Sequence, residues 1–90
     1  MTIHNNIKVE GRVQGVFFRV STQREALKLG LTGFVRNEPD GSVYLEVEGA
    51  QEKIDQLTTW IKLGGPPRAE VFNIDCQVAG AKDFKGFQIK

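Results

Sequence analysis

Ninety residues, 40% of them apolar, suffice for one hydrophobic core and not for two, so a single domain over residues 1–90 is expected. Twelve Lys and Arg against eleven Asp and Glu leave a net charge of +1, which removes the general electrostatic case for a nucleic-acid or membrane-surface protein and leaves room only for a local anion site. The single cysteine, Cys76, excludes an intrachain disulfide and points to a reducing compartment, the cytoplasm.

The first six residues show no basic cluster leading into an apolar run, so neither a signal peptide nor a membrane span is expected. Ile7, Val9, Gly11 and Val13 alternate with Lys8, Glu10 and Arg12, the period of a strand with one buried and one wet face. Residues 18–29 then place Phe18, Thr22, Ala26 and Leu29 on one helical face, with Leu27 beside them and Gly30 positioned to end the helix. Residues 31–37 are rich in apolar and β-forming residues, and Glu38-Pro39-Asp40-Gly41 supplies the dihedrals of a turn. Beyond it Val43, Leu45 and Val47 face one way and Ser42, Tyr44, Glu46 and Glu48 the other; the first arm of this hairpin is less regular, because Phe34 and Val35 are adjacent. Ile54, Leu57 and Ile61 recur at helical spacing within residues 50–63, which Gly64-Gly65-Pro66-Pro67 closes. Phe72, Ile74, Cys76 and Val78 alternate with polar residues in a fourth strand, and residues 86–90 are long enough for one further short strand.

The order β-α-β-β-α-β is that of an α+β, ferredoxin-like split βαβ fold, with two helices on one face of an antiparallel sheet and the other face left to water. That fold hosts many unrelated activities, so function has to be read from a site.

The informative stretch joins the first strand to the first helix and reads Gly11-Arg12-Val13-Gln14-Gly15-Val16-Phe17-Phe18-Arg19. Backbone N–H groups at a helix start lack intrahelical acceptors and can converge on an anion, and Arg19 would add a planar, permanently charged fork suited to phosphate oxygens. Spacing alone favours the plainer reading, glycines that relieve a tight turn and an arginine that lies in solvent. A cation in the first helical turn does oppose the helix dipole, which favours an anion as its partner. The lysine and hydroxyl of the P-loop pattern are missing, as is the dinucleotide glycine pattern, so nucleotide binding by those routes is not expected.

Taken with Gly33-Phe34-Val35-Arg36-Asn37 and Asp40-Gly41-Ser42-Val43, this stretch resembles the acylphosphatase family in motif, spacing and order along essentially the whole chain. The resemblance implies hydrolysis of acyl phosphates to a carboxylate and inorganic phosphate, a small-molecule reaction that needs neither metal nor other cofactor. A monomer is expected by default, since the sequence shows no heptad or large exposed apolar stripe. The resemblance further implies that Arg19 binds the phosphate, that backbone amides of Gln14, Gly15, Val16, Phe17 and Phe18 complete the cradle, and that Asn37 orients the attacking water. Two features depart from many relatives: Phe17 stands where glycine is frequent, its bulk narrowing the pocket mouth, and the chain ends in Gln88-Ile89-Lys90 without an aromatic residue.

Other constellations carry less. His4 is the only histidine and reads as a surface residue, and Cys76 reads as a packed thiol without the C-x5-R pattern. Ser42 lacks a nucleophile elbow, and Arg12 and Arg36 read as solubilising strand charges. Glu10, Glu46, Glu48 and Asp75 share the open sheet face and read as solvated, and Trp60 reads as partly buried packing. Two rival functions use the same fold. An RNA-binding domain would need aromatics on the open face, where only Tyr44 is clearly placed, and a basic surface that this chain lacks. A non-catalytic anion sensor would need Arg19 but has no evident use for Asn37.

Overall fold

The computed structural model describes residues 2–90, in the order β1 (Ile3–Arg12), α1 (Phe18–Lys28), β2 (Thr32–Asn37), β3 (Val43–Gly49), α2 (Gln51–Lys62), β4 (Glu70–Ala79) and β5 (Phe87–Ile89). The strands form one sheet in the order β4-β1-β3-β2-β5. β1 pairs antiparallel with β3 and β4, and β2 antiparallel with β3, which completes the ferredoxin-like arrangement. The short fifth strand does form, but it runs parallel to β2, so the sheet is mixed at that edge rather than wholly antiparallel. Among the described residues no helix is long and apolar enough to cross a membrane.

The core lies between the sheet and the helices. Ile7, Val9, Val35, Val43, Leu45 and Val47 project from the strands and meet Phe18 and Ala26 of α1 and Ile54, Leu57 and Ile61 of α2. Burial of each large aliphatic side chain contributes roughly 1.5–3 kcal/mol. The predicted faces of both helices therefore hold, with Leu27 the exception: it turns outward and is exposed. Gly30 ends α1 with φ 71°, which allows the Leu31 N–H to donate to the Ala26 carbonyl at 2.9 Å. After α2, Gly65 takes φ 66° against the ring of Phe18, where a Cβ would come within 2.9 Å of Cε2. This close approach seats the first residue of α1, and the Trp60 ring also packs against it, with ring centroids 6.1 Å apart.

Three expectations about polar and edge residues are corrected. β1 begins at Ile3, so His4 belongs to the sheet, where it is only 1% exposed. Glu46 and Glu48 are likewise buried instead of solvated. The cause is the segment 80–86, which folds over that end of the face expected to be open. Phe84 packs its ring against His4 and Phe34, at 5.7 and 5.6 Å. The Phe84 N–H donates to Glu48 at 3.0 Å, the Lys82 N–H also donates to Glu48, and the Lys82 ammonium reaches Glu46 at 3.1 Å. Beneath them His4 Nδ1 lies 2.8 Å from Glu48, and Nε2 lies 3.0 Å from Glu46 and 2.8 Å from Asn6. Buried polar groups thus find partners in one another. In β4, by contrast, Phe72, Cys76 and Val78 are exposed. Cys76 pairs opposite Ile7 and so lies on the helix side, but β4 is the outermost strand and the helices pack over its inner neighbours.

Burial works against ionisation of Glu48, yet the Lys82 amide, His4 and the Phe84 amide outweigh it and hold this carboxyl below its ordinary 4.5. A carboxylate whose native pKa is depressed stabilises the fold above its unfolded value and loses that contribution as pH falls through the native one. Melting temperature should therefore decline as pH drops from about 6 to about 3, and Glu48→Gln should melt lower near pH 6 and decline less steeply. Parallel curves for the two proteins would show that the Glu48 cluster contributes nothing to acid sensitivity.

Candidate functional site

After Arg12 the chain leaves the sheet, and Val13 turns inward to the core. Gln14 then anchors the loop: its side-chain amide donates to the carbonyls of Glu38 and Ser42, at 2.8 and 2.9 Å, on the β2–β3 turn. Gly15 takes φ 75° and Phe17 φ 63°, both left-handed, with Val16 between them outside that region. Such alternation of hand directs successive N–H groups toward a common concavity. For Gly15 the requirement is conformational alone, since a Cβ there would meet no neighbour within 4 Å.

Phe17 is also the residue that caps α1, and it supplies no side-chain acceptor to the first helical N–H groups. No acidic residue occupies the first turn. A helix start in this state carries uncompensated donors and the positive end of the dipole. Arg19, in the same turn, adds a formal charge.

These features meet at a cavity of about 310 Å³. Of the residues singled out from the sequence, Gly15, Phe17, Phe18, Arg19 and Asn37 line it; no acidic side chain does. Asn37 reaches it from β2, as the last residue of that strand, and its Oδ1 is buried without a hydrogen-bond partner. An unpaired buried amide oxygen costs about 1–3 kcal/mol, so it marks a place where the fold has left an acceptor uncommitted. Gln14 and Val16 do not line the cavity with their side chains: Gln14 is occupied at the hairpin and Val16 packs against the core. What they can offer an anion is backbone. Val13, Val20 and Ile89 complete the lining and were not picked out from sequence.

The remaining polar candidates are committed elsewhere. The Ser42 hydroxyl donates to Asp40 at 2.6 Å, and that bond, with Lys8 at 2.9 Å, holds the Asp40 carboxyl far below the usual carboxylate range. Burial and a 2.7 Å hydrogen bond to Glu46 push the Tyr44 phenol up to about 12. Arg36 lies over the rings of Tyr44 and Phe34 and contacts Glu38 at 3.3 Å, while Arg12 lies 3.7 Å from Glu70. Neither arginine lines the cavity.

Comparison with known proteins agrees with this geometry. The acylphosphatase family model matches residues 5–89. An acylphosphatase of Thiobacillus denitrificans is 46% identical over 87 residues, covering 97% of this chain and 93% of the relative. Among solved structures, an acylphosphatase from Coxiella burnetii superposes with a TM-score of 0.94 at 37% identity, covering 99% of this chain and 93% of the other. One from Bacillus subtilis does so with a TM-score of 0.94 at 34% identity, covering 98% of each. A match of this extent, along the whole fold and through the loop that carries Arg19, means that the chain belongs to the acylphosphatase family.

Proposed function

We propose that this chain is an acylphosphatase that hydrolyses the carboxyl–phosphate bond of acyl phosphates, with Arg19 and the amides of residues 14–18 holding the phosphate and Asn37 orienting the water. The observation that carries the reading is the meeting of Arg19 and Asn37, distant in sequence, at one cavity beside an uncapped helix start.

The chemistry suits such modest equipment. A water oxygen attacks phosphorus, the bond from phosphorus to the bridging oxygen breaks, and its electron pair leaves with the carboxylate. That leaving group is already a weak base and needs no proton from the protein. Positioning and charge stabilisation are then the main demands, met by the guanidinium fork and the converging N–H groups. Asn37 accepts a hydrogen bond from the water through its carbonyl but is too weak a base to take a proton, which passes instead to a phosphate oxygen of the substrate. With the positive charge supplied by Arg19 and backbone, the scheme assigns no step to a metal.

A small anionic substrate fits a cavity of this size and lining. The exposed free thiol of Cys76 suits the reducing conditions of the cytoplasm, where we place the protein, and we take the monomer as the working unit.

The direct test is release of inorganic phosphate from acetyl phosphate by the purified protein in excess EDTA. Rapid release, inhibited competitively by added phosphate, is expected. A folded protein that binds phosphate without turnover would replace the hydrolase by an anion sensor.

A further inference from the structure

Residues 80–86 form no helix or strand, and all are exposed except the half-buried Phe84, yet they cover the buried His4, Glu46 and Glu48. One carboxylate does most of the holding. The Phe84 N–H donates to one oxygen of Glu48, and the Lys82 N–H and His4 Nδ1 meet the other. Glu46 takes the Lys82 ammonium at 3.1 Å, the Tyr44 hydroxyl at 2.7 Å and His4 Nε2 at 3.0 Å. From β2, Arg36 lies over Phe34 and Tyr44, and Lys90 lies over Phe34. β4 sets only Ala79 and Gln77 opposite His4 and Asn6, and neither titrates. A proton on Glu48 removes the charge that strengthens these bonds and puts an O–H where two backbone amides need an acceptor.

We propose that residues 80–86 are an acid-released strap: protonation of Glu46 and Glu48 frees them from the sheet and loosens β5, while the rest of the fold stays intact. The strap stands apart from the acylphosphatase reading, and only its effect on turnover rests on that reading. Burial opposes ionisation of both carboxyls, but Tyr44, Lys82 and His4 hold Glu46 below its ordinary 4.5, as the Lys82 amide, His4 and the Phe84 amide hold Glu48. Once the strap lifts, both become ordinary exposed carboxyls, so the open form takes up protons more readily and gains population as pH falls below about 5. The strap runs directly into β5, which has three residues and brings Ile89 to the cavity. That strand is held by Phe87 in the core and by three backbone contacts: the Gly33 N–H to the Gly86 carbonyl at 2.9 Å, the Lys90 N–H to the Val35 carbonyl at 2.9 Å, and the Gln23 amide to the Phe87 carbonyl at 2.8 Å. The first belongs to the strap itself. A segment with so few buried contacts is the kind that opens before the whole molecule does.

Amide hydrogen exchange, corrected for intrinsic rates and followed as pH is lowered, tests this on the wild type, Glu48→Gln and Phe84→Leu. In the wild type, protection of the Lys82, Phe84 and Lys90 amides should fall together by about tenfold between about pH 6 and pH 4, while amides of the central strand β3 keep theirs. Glu48→Gln should lose about tenfold of that protection already near pH 6 and depend less on pH. Phe84→Leu loosens the strap without touching a carboxyl, so protection should be lower throughout and the pH dependence retained. Should Glu48→Gln fail to fold, the wild type and Phe84→Leu carry the test. The ratio of kcat/KM for acetyl phosphate, Phe84→Leu over wild type, cancels ionisation of the substrate. It should be near one at about pH 6 and fall about threefold by about pH 4, where the variant reaches the open form first. Loss of strap protection only together with that of β3 would overturn the proposal. So would a Lys90 amide that stays protected while Lys82 and Phe84 open, or a ratio that stays at one. The expected exchange in a protein that hydrolyses nothing at about pH 6 would leave the strap standing and remove the enzyme.

Discussion

Replacing Arg19 with alanine is expected to lower kcat/KM for an acyl phosphate by about 10³-fold or more, and to remove inhibition by inorganic phosphate along with it. The size follows from what Arg19 supplies. It is the formal positive charge in the cavity lining, where Gly15, Phe17, Phe18 and Asn37 offer only dipoles or apolar surface. Its planar fork can bond two phosphate oxygens at once, so Arg19→Lys, with the same charge at a point, should recover little. Stability should move the opposite way. Arg19 stands in the first turn of α1, where a cation opposes the helix dipole, so alanine there should stabilise the fold by about 0.3–1 kcal/mol. Loss of function with a raised melting temperature would identify a residue kept for its ligand. Undiminished phosphate inhibition in Arg19→Ala would remove it from the site.

For Asn37→Ala the expected outcome is a separation of turnover from binding: kcat reduced about 10²–10³-fold, with the inhibition constant for phosphate changed only slightly. Asn37 lines the cavity from β2 and not from the loop or α1, so its loss should leave the cradle intact while the water loses the acceptor that holds it. The variant should fold, because no hydrogen bond within the protein depends on its Oδ1. Asn37→Asp gives the converse check, since a carboxylate facing the phosphate should weaken binding as well as turnover. An equal loss of kcat and phosphate affinity in Asn37→Ala would make Asn37 part of the phosphate site.

Much of this architecture was legible in the sequence because it is periodic. Phe18, Thr22 and Ala26, and likewise Ile54, Leu57 and Ile61, repeat with the helix and are buried as their spacing predicts. Val43, Leu45 and Val47 alternate with the strand and lie in the core. Periodicity failed where burial depends on what a distant segment covers. His4, Glu46 and Glu48 fall on the polar side of their strands, and nothing in their neighbourhood announces that residues 80–86 return to enclose them. The pattern in β4 misled in the opposite sense, since alternating apolar residues mark a strand but not whether a helix lies over it. At the site, the meeting of Arg19 and Asn37 was not contained in spacing; linked motifs of a known family supplied it. The left-handed backbone of Phe17 was hidden because that conformation is usually announced by glycine.

The bond pair made by Gln14 joins the two halves of the site. One side-chain amide fastens the loop proposed as the phosphate cradle to both sides of the turn that follows Asn37. Arg19 and Asn37 are therefore brought into register when the chain folds, and the ordering entropy of the loop is lost then, before any ligand arrives. An incoming acyl phosphate meets a surface already assembled, and its contacts are not spent on drawing a lid across the cavity. Turnover is then expected to follow diffusion, chemistry and product escape.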